Sequence, residues 1–103
     1  MHQKIRLITF ASPSRTPIGA LNGGLASIPS HELGSAVIKA VLESTKVSPE
    51  EVSEVILGQV LACGQGQNPA RQAAINAGLP DSVPAMVSCV TCVTSHESHV
   101  LTF

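Results

Sequence analysis

The run EVILGQVL at residues 54–61 restricts the fold more than any other part of this chain. A strand with one wet face alternates apolar and polar side chains, whereas a strand buried on both faces reads as a nearly continuous apolar run. Strands of the second kind belong to parallel sheets covered by helices. Parallel neighbours need a crossover of a dozen or more residues between them, usually a helix. The segments flanking this run should therefore be helical, with further strands beyond them.

The flanks fit that demand. Upstream, Ser30 is placed to cap a helix, with Glu32 in its first turn at the positive end of the dipole. Leu33, Val37 and Val41 share one face, with Ala36 and Ala40 beside them, and Ile38 and Leu42 widen the stripe. So broad a stripe predicts a helix packed hard against a sheet. SPEE, Ser48–Glu51, reads as a capping box with proline at the first helical position, hence a short helical turn. Downstream, Asn68-Pro69 opens a helix running to Ala77, with Gly78 as its C-cap and Pro80 just beyond. Ala70, Ala73, Ala74 and Ala77 give it a small-residue face suited to close approach.

Two more strands complete the set. Lys4–Ala11, KIRLITFA, is rich in branched and aromatic residues and stops at Ser12-Pro13. Val83–Cys92 is the third candidate. The order is therefore βαβαβ, an α/β fold with a parallel-leaning sheet and two successive βαβ units. A long loop, residues 12–29, holds Gly19, Gly23, Gly24, Pro17 and Pro29; loops of that length in compact domains tend to be functional or interfacial.

Composition narrows the function. A chain of 103 residues is one domain at most, and at 44% hydrophobic and 13% charged it is dry for its size, so part of its surface is expected to lie against other protein. A net charge of −1 provides no basic stripe for nucleic acid and no polybasic membrane anchor. No segment approaches transmembrane length, and MHQKIRLITFAS lacks the pattern of a signal or transit peptide. Cys63, Cys89 and Cys92 are an odd count without a disulfide-scaffold spacing, consistent with a reducing, cytoplasmic setting.

Ligands of open α/β sheets gather at the carboxyl ends of the strands, and Cys92 stands at one. A thiol there is activated when the next residues open a helix, whose N-terminus favours the thiolate. The residues that follow, Val93-Thr94-Ser95, include two β-branched ones where a tight elbow favours small side chains. On the residues alone an inert cysteine is the better reading. Cys89, Cys92, His96 and His99 form C-x2-C-x3-H-x2-H, four zinc-binding residue types. The usual finger separates its two pairs by about a dozen residues rather than three, so no metal is expected and a small zinc-binding tail stands only as a lesser alternative. A redox CxxC fails because Cys89 falls within a strand. GQGQNPARQ, residues 64–72, lacks the Gly-Lys-Ser/Thr ending of a phosphate loop and reads instead as a mobile loop before a helix cap. Arg15 and Arg71 are lone arginines of the kind that make surface or helix-end ion pairs, and His31 is expected to be solvated.

Six pieces combine into a familiar pattern: SRTPIG (14–19), HELG (31–34), VSPEEVSEVILGQVL (47–61), GQGQNPARQA (64–73), AGLP (77–80) and VPAM (83–86). In this order and spacing they resemble the N-terminal part of the thiolase family, closest to its acetyl-CoA acetyltransferase branch, over residues 4–92. The resemblance implies a partial thiolase-like N-terminal domain over residues 1–92 and a divergent tail over 93–103. In that family VPA leads at a fixed interval to the nucleophilic cysteine at a helix entrance, and counting from Val83 lands on Cys92. The implied role of Cys92 is to take an acetyl group from acetyl-CoA as a thioester, which an enolate of a second acetyl-CoA attacks to give acetoacetyl-CoA. Coenzyme A thioesters are then substrates and no other cofactor is expected; the full-length family is expected to be homo-oligomeric.

The chain departs from the family after Cys92. The family continues with a GSG-type turn and an Ala-rich helix, and its later sequence supplies a second cysteine as base and an assisting histidine. Here VTSHESHVLTF follows, and His96 and His99 match no family position. Pro13 also stands where the family strand runs on. The expectation is a truncated chain, marginally stable or aggregating and with little or no turnover alone. The alternative of a different class is a non-catalytic fragment that associates with intact thiolase subunits through an exposed strand edge.

Overall fold

A computed structural model describes Thr9 and residues 11–88. The element order is α1 (Ser30–Thr45), a short 3-10 turn (Pro49–Glu51), β1 (Val55–Gly58), α2 (Pro69–Asn76) and β2 (Ala85–Ser88). The predicted strand Lys4–Ala11 lies outside the described residues apart from Thr9 and Ala11, as do Cys89, Cys92, His96 and His99.

β1 and β2 pair in parallel, with Val55 opposite Ala85 and Gly58 opposite Ser88. The β1–α2–β2 unit is therefore the βαβ crossover that the apolar run demands. β1 is shorter than the sequence suggests and β2 starts later, while the part of the predicted Val83–Cys92 strand beyond Ser88 lies outside the described residues. β1 ends at Gly58 rather than Leu61: the Gln59 N–H still donates to Ser88 O (3.0 Å), but Val60 and Leu61 then turn outward, Leu61 to 81% exposure. β2 begins at Ala85 rather than Val83, because Val83 N–H closes a turn onto Pro80 O (3.1 Å).

The expectation that β1 is buried on both faces needs correction among the described residues. Side chains alternate across a strand, so Val55 and Leu57 share a face with Ala85, while Ile56 shares the opposite face with Met86. Val55 is fully buried and Leu57 and Ala85 pack on the core, but Met86 is 55% exposed. The helices cover the first of these faces. Ile38, Val52, Val55, Ala73, Ala74, Leu79 and Val83 form the core, with Leu42, Leu57, Ala77 and Ala85 against it.

α2 carries the small-residue face as expected. Ala70, Ala73 and Ala74 are buried. Their size matters because α1 crosses closely: a Cβ built on Gly34 would stand 3.3 Å from the Ala73 Cβ and 3.4 Å from a Leu57 methyl. α1 meets this surface along Ser35, Ile38 and Val41, with Leu33 and Val37 half-buried and Ala36 and Ala40 exposed. The buried line is thus rotated from the one read off the sequence, because the contact is made beside Gly34, where the backbones can approach.

Helix ends show why local signals succeed or fail. Gly78 has φ +91°, and its N–H donates to Ile75 O (3.0 Å) while Leu79 N–H reaches Ala74 O (3.1 Å). These are the two bonds of a Schellman cap, with buried Leu79 as its apolar contact. Because an L side chain in this conformation costs about 1–2 kcal/mol, Gly78→Ala is expected to lower stability by about 1 kcal/mol, measured as a urea midpoint shift. Ser30, by contrast, is not a cap: Pro29 occupies that position, and Ser30 is the first helical residue. Its hydroxyl is engaged elsewhere, donating to Gln65 Oε1 (3.0 Å) and accepting from Gln59 Nε2 (3.1 Å). The 3-10 turn behaves as read, with Ser48 N–H donating to the Glu51 carboxylate (3.0 Å). The Ser48 hydroxyl also meets the exposed Glu50 carboxylate and holds its pKa below the usual value.

Candidate functional site at the carboxyl edge of the sheet

The carboxyl ends of β1 and β2 lie side by side, and the start of α1 and the start of α2 meet β1 there. Ser30, His31, Gly34, Leu57, Gly58, Gln59 and Pro69 enclose a cavity of about 150 Å³ at this edge. An adjoining cavity of about 300 Å³ is lined by residues 26–29 with His31, Gly64 and Gln65. His31 borders both. Its Nδ1 is buried without a partner among the described residues, so the expectation of a solvated histidine is corrected. The first turn of α1 folds its ring in beside the loop that follows β1.

That loop, residues 59–68, is not the mobile stretch that GQGQ suggests. Gly64 and Gly66 adopt φ +75° and +78°, conformations that favour glycine. The Gln72 side-chain amide, one turn into α2, donates to Gln65 O (2.9 Å) and Gln67 O (3.0 Å). A Cβ on Gly66 would stand 3.0 Å from Gln72 Nε2, so the two residues leave no spare room. Gln59 Nε2 also donates to Leu61 O (3.1 Å), and Gln65 is tied to α1 through Ser30. Sequence reasoning missed Gln59, Gln65 and Gln72. The two glycines flanking Gln65 are the available local signal, but a glutamine's choice of partner is a tertiary matter.

The start of α2 is clamped to β2 in a similar way. Asn68, at φ +44°, accepts from Arg71 N–H through Oδ1 (3.1 Å) and donates through Nδ2 to Ala85 O (3.0 Å). Arg71 donates to Val83 O and Asp81 O, each at 2.7 Å. In a parallel ladder successive residues point their backbone groups to opposite sides. Pro84 O faces β1, accepting from Val55 N–H at 2.9 Å, so Val83 O and Ala85 O face the outer edge of β2. Among the described residues Arg71 bonds backbone carbonyls rather than a carboxylate, and it covers that edge. Asn68→Ala removes a cap and an interstrand tie together and is expected to cost about 1–2 kcal/mol, checked by the same denaturant midpoint.

Arg15 lies on the long loop and donates to the neighbouring Thr16 carbonyl (3.4 Å). Cys63 is exposed and unpaired on the loop after β1. Among the described residues no cluster of three or more His, Cys, Asp or Glu is arranged to hold a metal, and no helix is long and apolar enough to cross a membrane. Cys92 lies four residues beyond Ser88, where β2 ends as described, and the β1 loop leaves the same edge from the position paired with Ser88.

A parallel strand pair covered by two helices, with its loops and helix starts meeting at the carboxyl edge, defines part of an α/β domain built around that edge. The chain belongs to the thiolase family: residues 8–101 match the thiolase N-terminal domain. It is 60% identical over 85 residues to an acetyl-CoA acetyltransferase of Chromobacterium violaceum, a match covering 82% of this chain and 22% of that protein. An acetyl-CoA acetyltransferase of Cupriavidus necator is 59% identical over the same shares, and the cytosolic acetyl-CoA acetyltransferase of Mus musculus is 54% identical over 82% of this chain and 21% of its own length. The chain thus spans about a fifth of the length of the curated relatives it matches.

Proposed function

We propose that this chain carries the acyl-accepting cysteine of an acetyl-CoA C-acetyltransferase, and that Cys92 is that residue. The observation that carries the reading is the 60% identity to an acetyl-CoA acetyltransferase over 85 residues of this chain. The topology is consistent with it, since Cys92 follows in sequence the strand that pairs with β1, whose carboxyl end lines the candidate site.

The half-reaction is a transthioesterification. The Cys92 thiolate adds to the carbonyl carbon of acetyl-CoA, the bond from that carbon to the coenzyme A sulfur breaks, and coenzyme A leaves with the proton the thiol gave up. Completing the cycle requires a base to form the enolate of a second acetyl-CoA, which attacks the acyl-cysteine, releases acetoacetyl-CoA and restores the thiol. The resemblance assigns that base to later family sequence, so residues 1–103 by themselves are proposed to stop after the first half. Coenzyme A thioesters are the substrates, with no additional cofactor. A cytoplasmic location and a homo-oligomeric full-length protein complete the reading, with no nucleic-acid or membrane partner.

The test is stoichiometric. On mixing the chain with acetyl-CoA, released coenzyme A should rise to one equivalent per chain and stop. No release above that of the unfolded chain would sink the reading.

A further inference from the structure

We propose that Arg71 and Asn68 close the outer edge of the sheet at Val83 and Ala85 from within the chain, and so keep a strand of a second copy from pairing there. A strand edge offers its outward N–H and C=O groups to any extended backbone that meets it. The inward groups of this segment are spent on β1 and its extension: Pro84 O accepts from Val55 N–H (2.9 Å) and Ser88 O from Gln59 N–H (3.0 Å). The backbone groups of Val83, Ala85 and Val87 therefore point the other way. Val83 N–H is turned back onto Pro80 O (3.1 Å). Val83 O accepts from Arg71 Nη1 at 2.7 Å, and Ala85 O accepts from Asn68 Nδ2 at 3.0 Å. The carbonyls that a new strand would need over this stretch already have donors.

Both donors come from the start of α2, so the crossover helix guards the strand that follows it. Arg71 suits the place for two reasons. Its planar fork reaches two carbonyls at once, Val83 O through Nη1 and Asp81 O through Nη2, each at 2.7 Å. Its charge also opposes pairing, because an incoming strand would bury a cation that is now only half-buried. Asn68 has a second duty, accepting from the Arg71 backbone N–H through Oδ1 (3.1 Å). That bond uses the main chain of Arg71, so replacing the Arg71 side chain leaves the helix cap in place.

The experiment follows self-association of the 103-residue chain by sedimentation velocity across a range of concentrations, with amide hydrogen exchange read at Ala85. Arg71→Met keeps an unbranched, helix-compatible side chain and removes both donors. It is expected to associate at a concentration at least about tenfold lower than the unaltered chain, with exchange at the Ala85 N–H slowing as it does so. Adding Ala85→Pro takes away that outward N–H without touching the ladder to β1, and should return association to within about twofold of the unaltered level. If Arg71→Met loses helical circular dichroism, Arg71→Lys decides in its place. A lysine ammonium lacks the fork that spans both carbonyls, so association is expected at a concentration about threefold lower than in the unaltered chain. Unchanged association in the variant that keeps its helices overturns the proposal. Association without slower exchange at Ala85, or undiminished by Ala85→Pro, overturns it too, since the copies then meet somewhere other than this edge.

Discussion

Ala73→Leu is expected to abolish the cooperative unfolding transition of this chain or lower its stability by about 3 kcal/mol. Ala73 is fully buried in α2, at the point where α1 passes closest. A glycine stands opposite, and even a single Cβ there would come within 3.3 Å of the Ala73 methyl. Leucine adds three carbons to a gap already too narrow for one. The helices must separate, or α2 must lift from Val55 and Leu57, and either movement opens the core. Small domains commonly have about 5 kcal/mol to lose, and among the described residues the sheet holds two strands of four residues each, so the change is large. The control is Ala36→Leu, on the exposed side of α1, which should change stability by less than about 0.5 kcal/mol. Equal urea midpoints for the two variants would show that the Gly34–Ala73 crossing does not hold the fold together.

The second large effect is chemical. Cys92→Ser is expected to suppress acetyl uptake at position 92 on the order of a thousandfold or more, leaving only the slower uptake of the other two thiols, because a neutral hydroxyl is a far weaker nucleophile than a thiolate. Cys63→Ser should leave uptake at position 92 unchanged. Cys63 is exposed on the β1 loop, where any solvent-borne acyl donor can reach it, so it serves as an internal reference for unassisted thiol reactivity. Loss of uptake on Cys63→Ser in place of Cys92→Ser would mean that accessibility alone governs the reaction.

Local chemistry made part of this architecture legible. Proline at the start of α2 and glycine beyond its end fix both termini within about a residue, because each acts through its own backbone. The alanine face of α2 and the parallel pairing of β1 were equally readable, the first from spacing and the second from the continuous apolar run. Readings that depended on distant partners failed. Ser30 has the right chemistry for a cap, yet its hydroxyl is taken by Gln59 and Gln65, 29 and 35 residues away. His31 is drawn toward a cavity whose other wall is the β1 loop. Arg71 finds carbonyls 10 and 12 residues on in place of a carboxylate. The loop of residues 59–68 reads as mobile because two glycines lie in it, and Gln72, whose amide bonds its carbonyls, belongs to a helix.

The proposed role of Cys92 comes by a different route. Nothing in the spacing around Cys92 distinguishes it from an inert thiol; the proposal rests on the ordered family motifs leading to it, while the match of residues 8–101 to the thiolase N-terminal domain shows the family. The β1 loop at the carboxyl edge of the sheet emerged only from the structure.

The most direct test of the central claim is to incubate the unaltered chain with acetyl-CoA and locate the acetyl groups by peptide mass spectrometry across Cys63, Cys89 and Cys92. The account predicts that Cys92 is acetylated at least about tenfold faster than the other two, as an acyl-accepting nucleophile should be against thiols with no such role. Acetyl groups on Cys63 at the same rate as on Cys92 would contradict it.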